Sequence, residues 1–295
     1  MNNFLSLIIL ISFCTQGQGQ GNYLGQDPPG LVPELFAPNL VSLPDQHEFG
    51  SVFSDDGNEF FYAVDEKGKA KILRTKFTNG EWEKAQIMIS HESYSYNDPM
   101  LSPDGKKLYF ISDQPLDGQG NNKDYDIWYA QRLKNSWSSP INIESPINTP
   151  KNEYYISFSN DGTLYFSSNR AAVKGQGNDF DIYKSKLVKG EYTSPIKMGL
   201  PINSERYEAD VYISPQEDYM IFCTNRQDGL GRGDLYISFK NEEDNWTTAV
   251  NMGSEINSEL HQLCPFVSAD GKYLFFTSNG DIFWVDAKII GNYRK

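Results

Sequence analysis

The chain has 295 residues, a formal net charge of −13, 14% aromatic residues and 22% charged residues. This length is enough for one large all-β domain or two small ones, and the aromatic content argues against a disordered chain. The acidic balance, without a run of Lys and Arg, argues against a surface for nucleic acid or anionic membranes, because both need clustered positive charge.

The first predicted element is an N-terminal secretory signal covering residues 1–19. Phe4 to Phe13 form an apolar run that is too short to span a bilayer, and small residues follow it as at a cleavage site. The mature protein is therefore expected to be periplasmic or secreted. Lipidation of Cys14 is the less favoured alternative, because bulky Phe13 precedes it where a small residue is expected.

A linker is predicted after the signal. Residues 20–30 contain Gly, Gln, Asp and Pro without a periodic apolar pattern, which is typical of an extended connection. Order is expected to begin near Leu31, and residues 31–295 are predicted to form a single domain that is monomeric.

A four-strand unit is visible in the middle of the chain. Two β-rich runs, 153–158 and 163–167, flank the turn Ser159-Asn160-Asp161-Gly162. Such a turn is typical of a hairpin whose last residue is left-handed, a conformation that glycine adopts without steric cost. Two further runs, 180–185 and 192–198, complete the unit.

The same unit occurs five times along the chain. Its first turn ends, at intervals of 48 to 57 residues, at Gly57, Gly105, Gly162, Glu217 and Gly271. Second strands are predicted at 59–63, 107–111, 163–167, 219–223 and 273–277. Third strands are predicted at 71–75, 126–130, 181–185, 234–238 and 281–285. A period near fifty residues built of four strands is typical of a β-propeller blade.

The fourth strands determine how the ring closes. Each is predicted to start near an aromatic residue, but only four are found, at Trp82, Trp137, Tyr192 and Trp246. The segment Glu34 to Val41 precedes the first repeat and has no partner. We therefore expect this N-terminal strand to complete the last blade, which leaves no open sheet edge. The predicted fold is all-β, a five-bladed propeller of four-stranded antiparallel blades.

Three short motifs recur in order within the repeats. They are SPDGKKLYF from Ser102 to Phe110, YFSSNR from Tyr165 to Arg170, and DIY from Asp181 to Tyr183. These motifs resemble the WD-like propeller repeat of the TolB type, which is found in bacterial periplasmic proteins. The resemblance implies a propeller, but relatives include noncatalytic scaffolds, propellers appended to peptidases and oligogalacturonate lyases, so it does not select a function. TolB itself is similar to a six-bladed ring, whereas this chain has five repeats.

The innermost strands of a propeller line its central channel, so their first residues are candidates for a ligand site. The first channel position is occupied by Glu48, Tyr96, Glu153, Glu208 and Gln262. The second, two residues later, is occupied by Gly50, Asp98, Tyr155, Asp210 and Cys264. Two arginines follow second strands on the same rim. The ligand-binding mouth is therefore predicted to comprise Glu48, Asp98, Glu153, Glu208, Asp210, Arg170 and Arg226.

The two arginines allow two interpretations. As planar forks, Arg170 and Arg226 are suited to hold a carboxylate of a ligand. Alternatively, they pair with Glu153 and Glu208 between neighbouring blades and hold the ring together. The second interpretation is favoured, because charges at equivalent positions of a repeat usually serve the repeat.

The histidines and the cysteines each allow two interpretations as well. His47 and His261 occupy equivalent positions in the first and last blades and, with a neighbouring carboxylate or amide, are candidates for a divalent metal site. Ordinary hydrogen-bonding histidines are the favoured interpretation, and no cofactor is predicted. Cys223 and Cys264 lie in apolar strands and are expected to be buried thiols, with a disulfide between them as the alternative.

The favoured function is noncatalytic binding of a protein or peptide of the cell envelope at the channel mouth. The alternative is a carbohydrate-active enzyme at the same mouth. A glycosidase needs two carboxyl groups across a sugar, and the acids of the mouth are candidates for them. A lyase resembling the oligogalacturonate branch would use the histidines and a metal instead.

Overall fold

The protein is described by a computed structural model that covers residues 23–172 and 179–294. The predicted signal at 1–19 and the lipidation alternative at Cys14 lie outside these residues. Within them, no helix is long and apolar enough to cross a membrane.

Five antiparallel sheets form the blades of a five-bladed β-propeller, which confirms the predicted fold class. Strand β1 (Glu34–Leu35) precedes the first blade. Blade 1 contains β2 (His47–Phe53), β3 (Glu59–Glu66), β4 (Lys69–Thr78), β5 (Glu81–Trp82) and β6 (Gln86–Ile89). Blade 2 contains β7 (Tyr96–Leu101), β8 (Lys107–Ser112), β9 (Asp126–Gln131) and β10 (Ile141–Asn142).

The remaining blades repeat this arrangement. Blade 3 contains β11 (Glu153–Phe158), β12 (Leu164–Ser168), β13 (Asp181–Ser185), a side hairpin of β14 (Leu187–Val188) and β15 (Glu191–Tyr192), and β16 (Ile196–Lys197). Blade 4 contains β17 (Glu208–Ile213), β18 (Tyr219–Thr224), β19 (Asp234–Phe239) and β20 (Val250–Asn251). Blade 5 contains β21 (Gln262–Val267), β22 (Tyr273–Ser278) and β23 (Asp281–Asp286). A short helix α1 (Gly253–Ile256) and two 3₁₀ segments (Tyr23–Gly25 and Ala287–Tyr293) complete the described elements.

The first turn of each blade has the geometry that its sequence predicts. Its last residue is left-handed in all five copies: Gly57, Gly105, Gly162, Glu217 and Gly271. The aspartate of the turn is structural, since Asp161 accepts hydrogen bonds from the Ser159 hydroxyl at 2.7 Å and from the Thr163 amide at 2.9 Å. These bonds close the hairpin locally, which explains why the turn is recognisable from sequence.

The ring is closed by the N-terminal strand, as predicted. Strand β1 pairs antiparallel with β23, Glu34 lying opposite Trp284 and Leu35 opposite Phe283. The strand has only two residues, shorter than the predicted segment. Phe36 follows it and is fully buried, with its amide donating to the Ile282 carbonyl at 2.8 Å. Closure therefore combines a short ladder with one buried aromatic side chain.

Residues 23–30 of the predicted linker pack on the propeller. The Tyr23 ring lies 5.1 Å from the Phe53 ring and 4.7 Å from the Tyr273 ring, between centroids, and Leu24 is buried. The Gly30 carbonyl accepts a hydrogen bond from the Asp286 amide. A periodic pattern is absent from this segment because single side chains, rather than a strand face, make the contacts.

The outer strands begin later than predicted, because the aromatic residues occupy the turn before them. Trp82 lies in β5, which pairs with the end of β4, and three residues separate it from the start of β6. Trp137 and Trp246 form isolated bridges with Arg132 and Lys240. The Arg132 guanidinium lies 4.3 Å from the centre of the Trp137 ring. These tryptophans therefore contribute to packing between the strands of a blade.

Candidate channel-mouth site

A β-bulge occurs at the second channel position of every inner strand. The pairing register shifts there in all five blades. The residue at this position is left-handed, with φ from 39° to 53°, whether it is Gly50, Asp98, Tyr155, Asp210 or Cys264. A left-handed non-glycine residue costs about 1 kcal/mol or more, so its presence in four blades indicates that the propeller geometry imposes it.

The bulged residues meet across the channel. The Cys264 Sγ of blade 5 lies 3.5 Å from the Asp98 Oδ1 of blade 2. A Cβ atom added to Gly50 would lie 2.7 Å from the same oxygen, so glycine is required there. The Tyr155 hydroxyl of blade 3 donates to the Pro265 carbonyl of blade 5 at 2.8 Å. The channel is therefore bridged by side chains between opposite blades.

A cavity of about 320 Å³ opens at this level of the channel. Asp98, Asp210 and Cys264 line it together with aromatic residues. Three of these aromatic residues form an arc: the Tyr154 and Phe180 ring centroids are 5.2 Å apart, and those of Phe180 and Tyr207 are 5.7 Å apart. We call this cavity, with its two aspartates and the arc Tyr154, Phe180 and Tyr207, the channel-mouth site.

The aromatic arc was not predicted from the sequence, although a signal was present. Phe180 and Tyr125 each precede the first aspartate of a third strand, in the motifs DFDI and DYDI of neighbouring repeats. Tyr125 extends the arc, since its ring centroid lies 5.1 Å from that of Tyr154. An aromatic residue at an equivalent position of two repeats, immediately before a strand on the rim, indicates a shared surface.

In the part of the chain that the structure describes, the two aspartates lack positively charged partners. Within the described residues, neither Asp98 nor Asp210 forms an ion pair. Burial raises the pKa of Asp98 to about 7, an effect that the Cys264 thiol partly offsets. Burial and the nearby Asp98 charge raise the pKa of Asp210 to about 8. Both carboxyls are thus poised to change charge near neutral pH.

The other predicted acids are buried in a structural role. Glu153 is fully buried, and its Oε1 accepts a hydrogen bond from the Thr149 hydroxyl at 2.8 Å. The Arg170 guanidinium lies 3.2 Å from the same oxygen and also donates to the Ile147 carbonyl. Burial raises the pKa of Glu153 to about 7, although Arg170 opposes the shift. The carboxylate and guanidinium together fix the connection that enters blade 3.

Blade 4 repeats this arrangement. Glu208 Oε1 accepts from the Ser204 hydroxyl at 2.5 Å and lies 3.4 Å from the Arg226 Nε. Arg226 donates to the Ile202 carbonyl at 2.6 Å. The prediction that these pairs form between blades is wrong in this respect, because each acid and its arginine belong to the same blade. Instead, each arginine donates to a carbonyl of the connection that enters its own blade.

Among the three predicted glutamates, Glu48 is the one that is buried without an arginine in the described residues. Its Oε1 accepts only a long bond of 3.4 Å from the Leu43 amide, and its Oε2 is buried without a hydrogen-bond partner in the described residues. Burial raises the pKa of Glu48 to about 7, and the nearby Asp281 charge contributes. Glu48 therefore lies at the closure between blades 1 and 5 rather than in the cavity.

Within the described residues, His47 and His261 share no partner. A Cβ atom at Gly280 would lie 3.2 Å from the exposed His47 ring, whereas the His261 Nε2 lies 3.3 Å from the Cys223 Sγ. In 23–172 and 179–294, no group of three or more His, Cys, Asp or Glu side chains is arranged to hold a metal ion. Cys223 and Cys264 are both buried free thiols, so the disulfide alternative is wrong.

Comparison with solved structures shows a TolB-like propeller fold. The crystal structure of TolB from Acinetobacter baumannii matches with a TM-score of 0.51 and 15% identity, over 80% of this chain and 53% of that chain. The structure of putative TolB from Agrobacterium tumefaciens matches with a TM-score of 0.50 and 16% identity, over 81% and 72%. The chain therefore spans about half the length of the first protein. No family model and no curated protein sequence matches the chain.

The raised pKa values predict an unusual dependence of stability on pH. Because the folded protein holds protons on Asp98 and Asp210 that the unfolded chain releases near pH 4, the free energy of unfolding falls as pH rises from about 4 to about 8. We expect a higher melting temperature by circular dichroism at pH 5.5 than at pH 8.5. The total change is on the order of a few kcal/mol.

The double variant Asp98→Asn/Asp210→Asn isolates this contribution, since asparagine tolerates the left-handed backbone at both positions. It is expected to be more stable than the parent at pH 8.5 and to show a flatter pH profile, with Glu48 and Glu153 supplying the remaining slope. The exposed Glu243→Gln is the control and keeps the parental profile. A double variant with the parental profile would contradict the assignment.

Proposed function

We propose that the protein is an exported, noncatalytic propeller that binds a protein or peptide segment of the cell envelope at the channel-mouth site. The observation that carries this proposal is the cavity in which Asp98 and Asp210, without ion-pair partners in the described residues, lie beside the arc of Tyr154, Phe180 and Tyr207. Concave sites with aromatic walls and a few polar groups are typical of binding sites.

Under this proposal, the remaining predicted site residues support the rim or the ring closure and do not contact the ligand. Glu153 with Arg170 and Glu208 with Arg226 are occupied by each other and by backbone groups, so they support the rim. Glu48 is buried at the closure. The residues that we assign to ligand contact are therefore Asp98, Asp210 and the aromatic arc.

Export is part of the proposal and depends on the sequence of residues 1–19. The motifs that resemble TolB-type repeats support the same compartment, since that family contains periplasmic scaffolds. A monomer is proposed, because the N-terminal strand already covers the edge of blade 5.

A carbohydrate-active enzyme is the second candidate, and one observation favours it. Asp98 and Asp210 are two carboxyls in one cavity beside aromatic rings, which are residue types that glycosidases use. However, Asp98 is almost fully buried and contacts the Cys264 thiol, whereas a glycosidase needs both carboxyls exposed on either side of a sugar. We therefore place binding before catalysis.

The test is capture of partners from a cell-envelope extract by the immobilised protein, beside the variant Tyr154→Leu/Tyr207→Leu. We expect a protein or peptide to be retained by the parent and lost with the aromatic pair, while the Glu243→Gln control retains it. In parallel, the parent is incubated with neutral and acidic oligosaccharides. Turnover of a sugar that the Asp98→Asn variant abolishes would overturn the noncatalytic proposal in favour of the enzyme.

A further inference from the structure

We infer that the channel-mouth site accepts one positively charged group, the ammonium or guanidinium at the tip of a lysine or arginine side chain on the bound segment. This inference rests on the proposed function and specifies the ligand chemistry of the same site. It is drawn from the charge, the wall and the depth of the cavity.

The first argument is the missing countercharge. The Asp98 side chain belongs to a residue that is only 7% exposed, and its one partner in the described residues is the Cys264 thiol, a weak donor 3.5 Å away. Asp210 keeps part of its surface open to the cavity. A buried carboxylate without a partner is costly, and a bound cation removes that cost by supplying the missing charge.

No basic group of the described chain fills this role. His261 lines the cavity, but burial and the nearby Arg232 lower its pKa, which keeps the ring neutral. Arg232 is exposed and forms no ion pair with either aspartate within 23–172 and 179–294. Above about pH 8, where both carboxyls are ionised, the site is therefore electronegative, and an anionic ligand would be repelled.

The second argument is the aromatic wall. Tyr154, Phe180 and Tyr207 lie on the same cavity as the carboxyls, and aromatic faces attract ammonium and guanidinium groups. The tips of lysine and arginine carry the charge, whereas their stems are apolar and pack well against rings. An aromatic arc next to two acids therefore suits a basic side chain better than a neutral sugar.

The third argument is the depth of the site. The Tyr155 side chain crosses the channel and bonds to the Pro265 carbonyl, and Asp98 fills the space beside Gly50. A peptide backbone therefore cannot pass through at this level. The cavity of about 320 Å³ is instead of a size to receive the tip of one side chain.

The test uses four blocked pentapeptides, acetyl-Gly-Gly-X-Gly-Gly-amide, in which X is lysine, arginine, norleucine or glutamate. Binding is measured by titration calorimetry at pH 8.5 with the full protein. We expect the lysine and arginine peptides to bind at least about 10-fold more tightly than the norleucine peptide, with the glutamate peptide weaker still. Asp98→Asn/Asp210→Asn should lower lysine-peptide affinity by at least about 10-fold, whereas Glu243→Gln should leave it unchanged.

Each other outcome overturns the inference. Equal binding of the norleucine and lysine peptides would show apolar recognition, and unchanged affinity in the double aspartate variant would place the charge contact elsewhere. Failure of all four peptides to bind also rejects it. The failure of this inference can be distinguished from the failure of the proposed function. If capture of a partner from the extract depends on Tyr154 and Tyr207 but not on Asp98 and Asp210, the binding function stands and only the cationic ligand is rejected. Tyr207→Leu, which removes one ring of the aromatic arc, is an additional variant for the peptide titration, and circular dichroism checks that it is folded.

Discussion

Replacing Phe36 with alanine is expected to lower the free energy of unfolding by about 4 kcal/mol. The Phe36 ring is fully buried where the N-terminal strand closes the propeller. Its centroid lies 5.2 Å from the rings of Phe60 and Trp284 and 5.1 Å from that of Phe275, so residues of blades 1 and 5 surround it. Removal of the ring leaves a cavity between the first and last blades.

Urea denaturation measures this effect, with Leu40→Ala as the control. Leu40 belongs to the same N-terminal segment but is 60% exposed, so its replacement should change stability by less than about 0.5 kcal/mol. Equal denaturation midpoints for Phe36→Ala and Leu40→Ala would be incompatible with closure by this segment.

Truncation tests the same closure at the level of the strand. A chain that begins at Ser42 lacks β1 and exposes the edge of β23, so we expect it to aggregate. A chain that begins at Leu31 keeps β1 but lacks Tyr23 and Leu24, and we expect it to be destabilised without aggregation. A soluble, fully stable chain from Ser42 would contradict the role of the strand.

Replacing Arg170 with alanine is expected to cost about 3 kcal/mol, because it leaves the buried Glu153 carboxylate without its cation. The change also removes the hydrogen bond to the Ile147 carbonyl and the contact of the guanidinium with the Phe166 ring, 4.9 Å from its centre. Arg226→Ala should behave alike, because Arg226 has equivalent partners in blade 4.

Blade 5 indicates how the effect of the Glu153 charge can be separated from the packing of Arg170. Its first channel residue is Gln262, whose amide bonds to the hydroxyls of Ser258 at 2.7 Å and Ser278 at 3.0 Å, with no arginine among its bonds in the described residues. In a Glu153→Gln background, Arg170→Ala should therefore cost less than in the parent. The exposed Arg206→Ala is the control.

Thermal melts of these variants also decide between the two interpretations of the arginines. Unchanged stability in both Arg170→Ala and Arg226→Ala would contradict a structural role. It would return both side chains to the group of candidate ligand contacts.

The sequence by itself determined the repeat unit, the number of blades and the way the ring closes. The turns are local, since Asp161 and Gly162 close their hairpin with bonds between residues a few positions apart. The strand runs recur at a nearly fixed period, so each copy supports the assignment of strands in the other four. The role of the N-terminal strand in ring closure could be inferred by counting strands, because a propeller leaves few open sheet edges.

Only the tertiary structure decided which acids face the cavity. Glu153 and Asp98 look equally available in the sequence, yet one is enclosed with Arg170 and the other lies in the channel. The difference arises because Asp98 occupies the bulged second position, which lies at the channel, whereas Glu153 occupies the first position and accepts a hydrogen bond from the incoming connection at Thr149. The aromatic arc likewise depends on the fold, because the repeated motif marks Phe180 but does not show that Tyr154 and Tyr207 lie beside it.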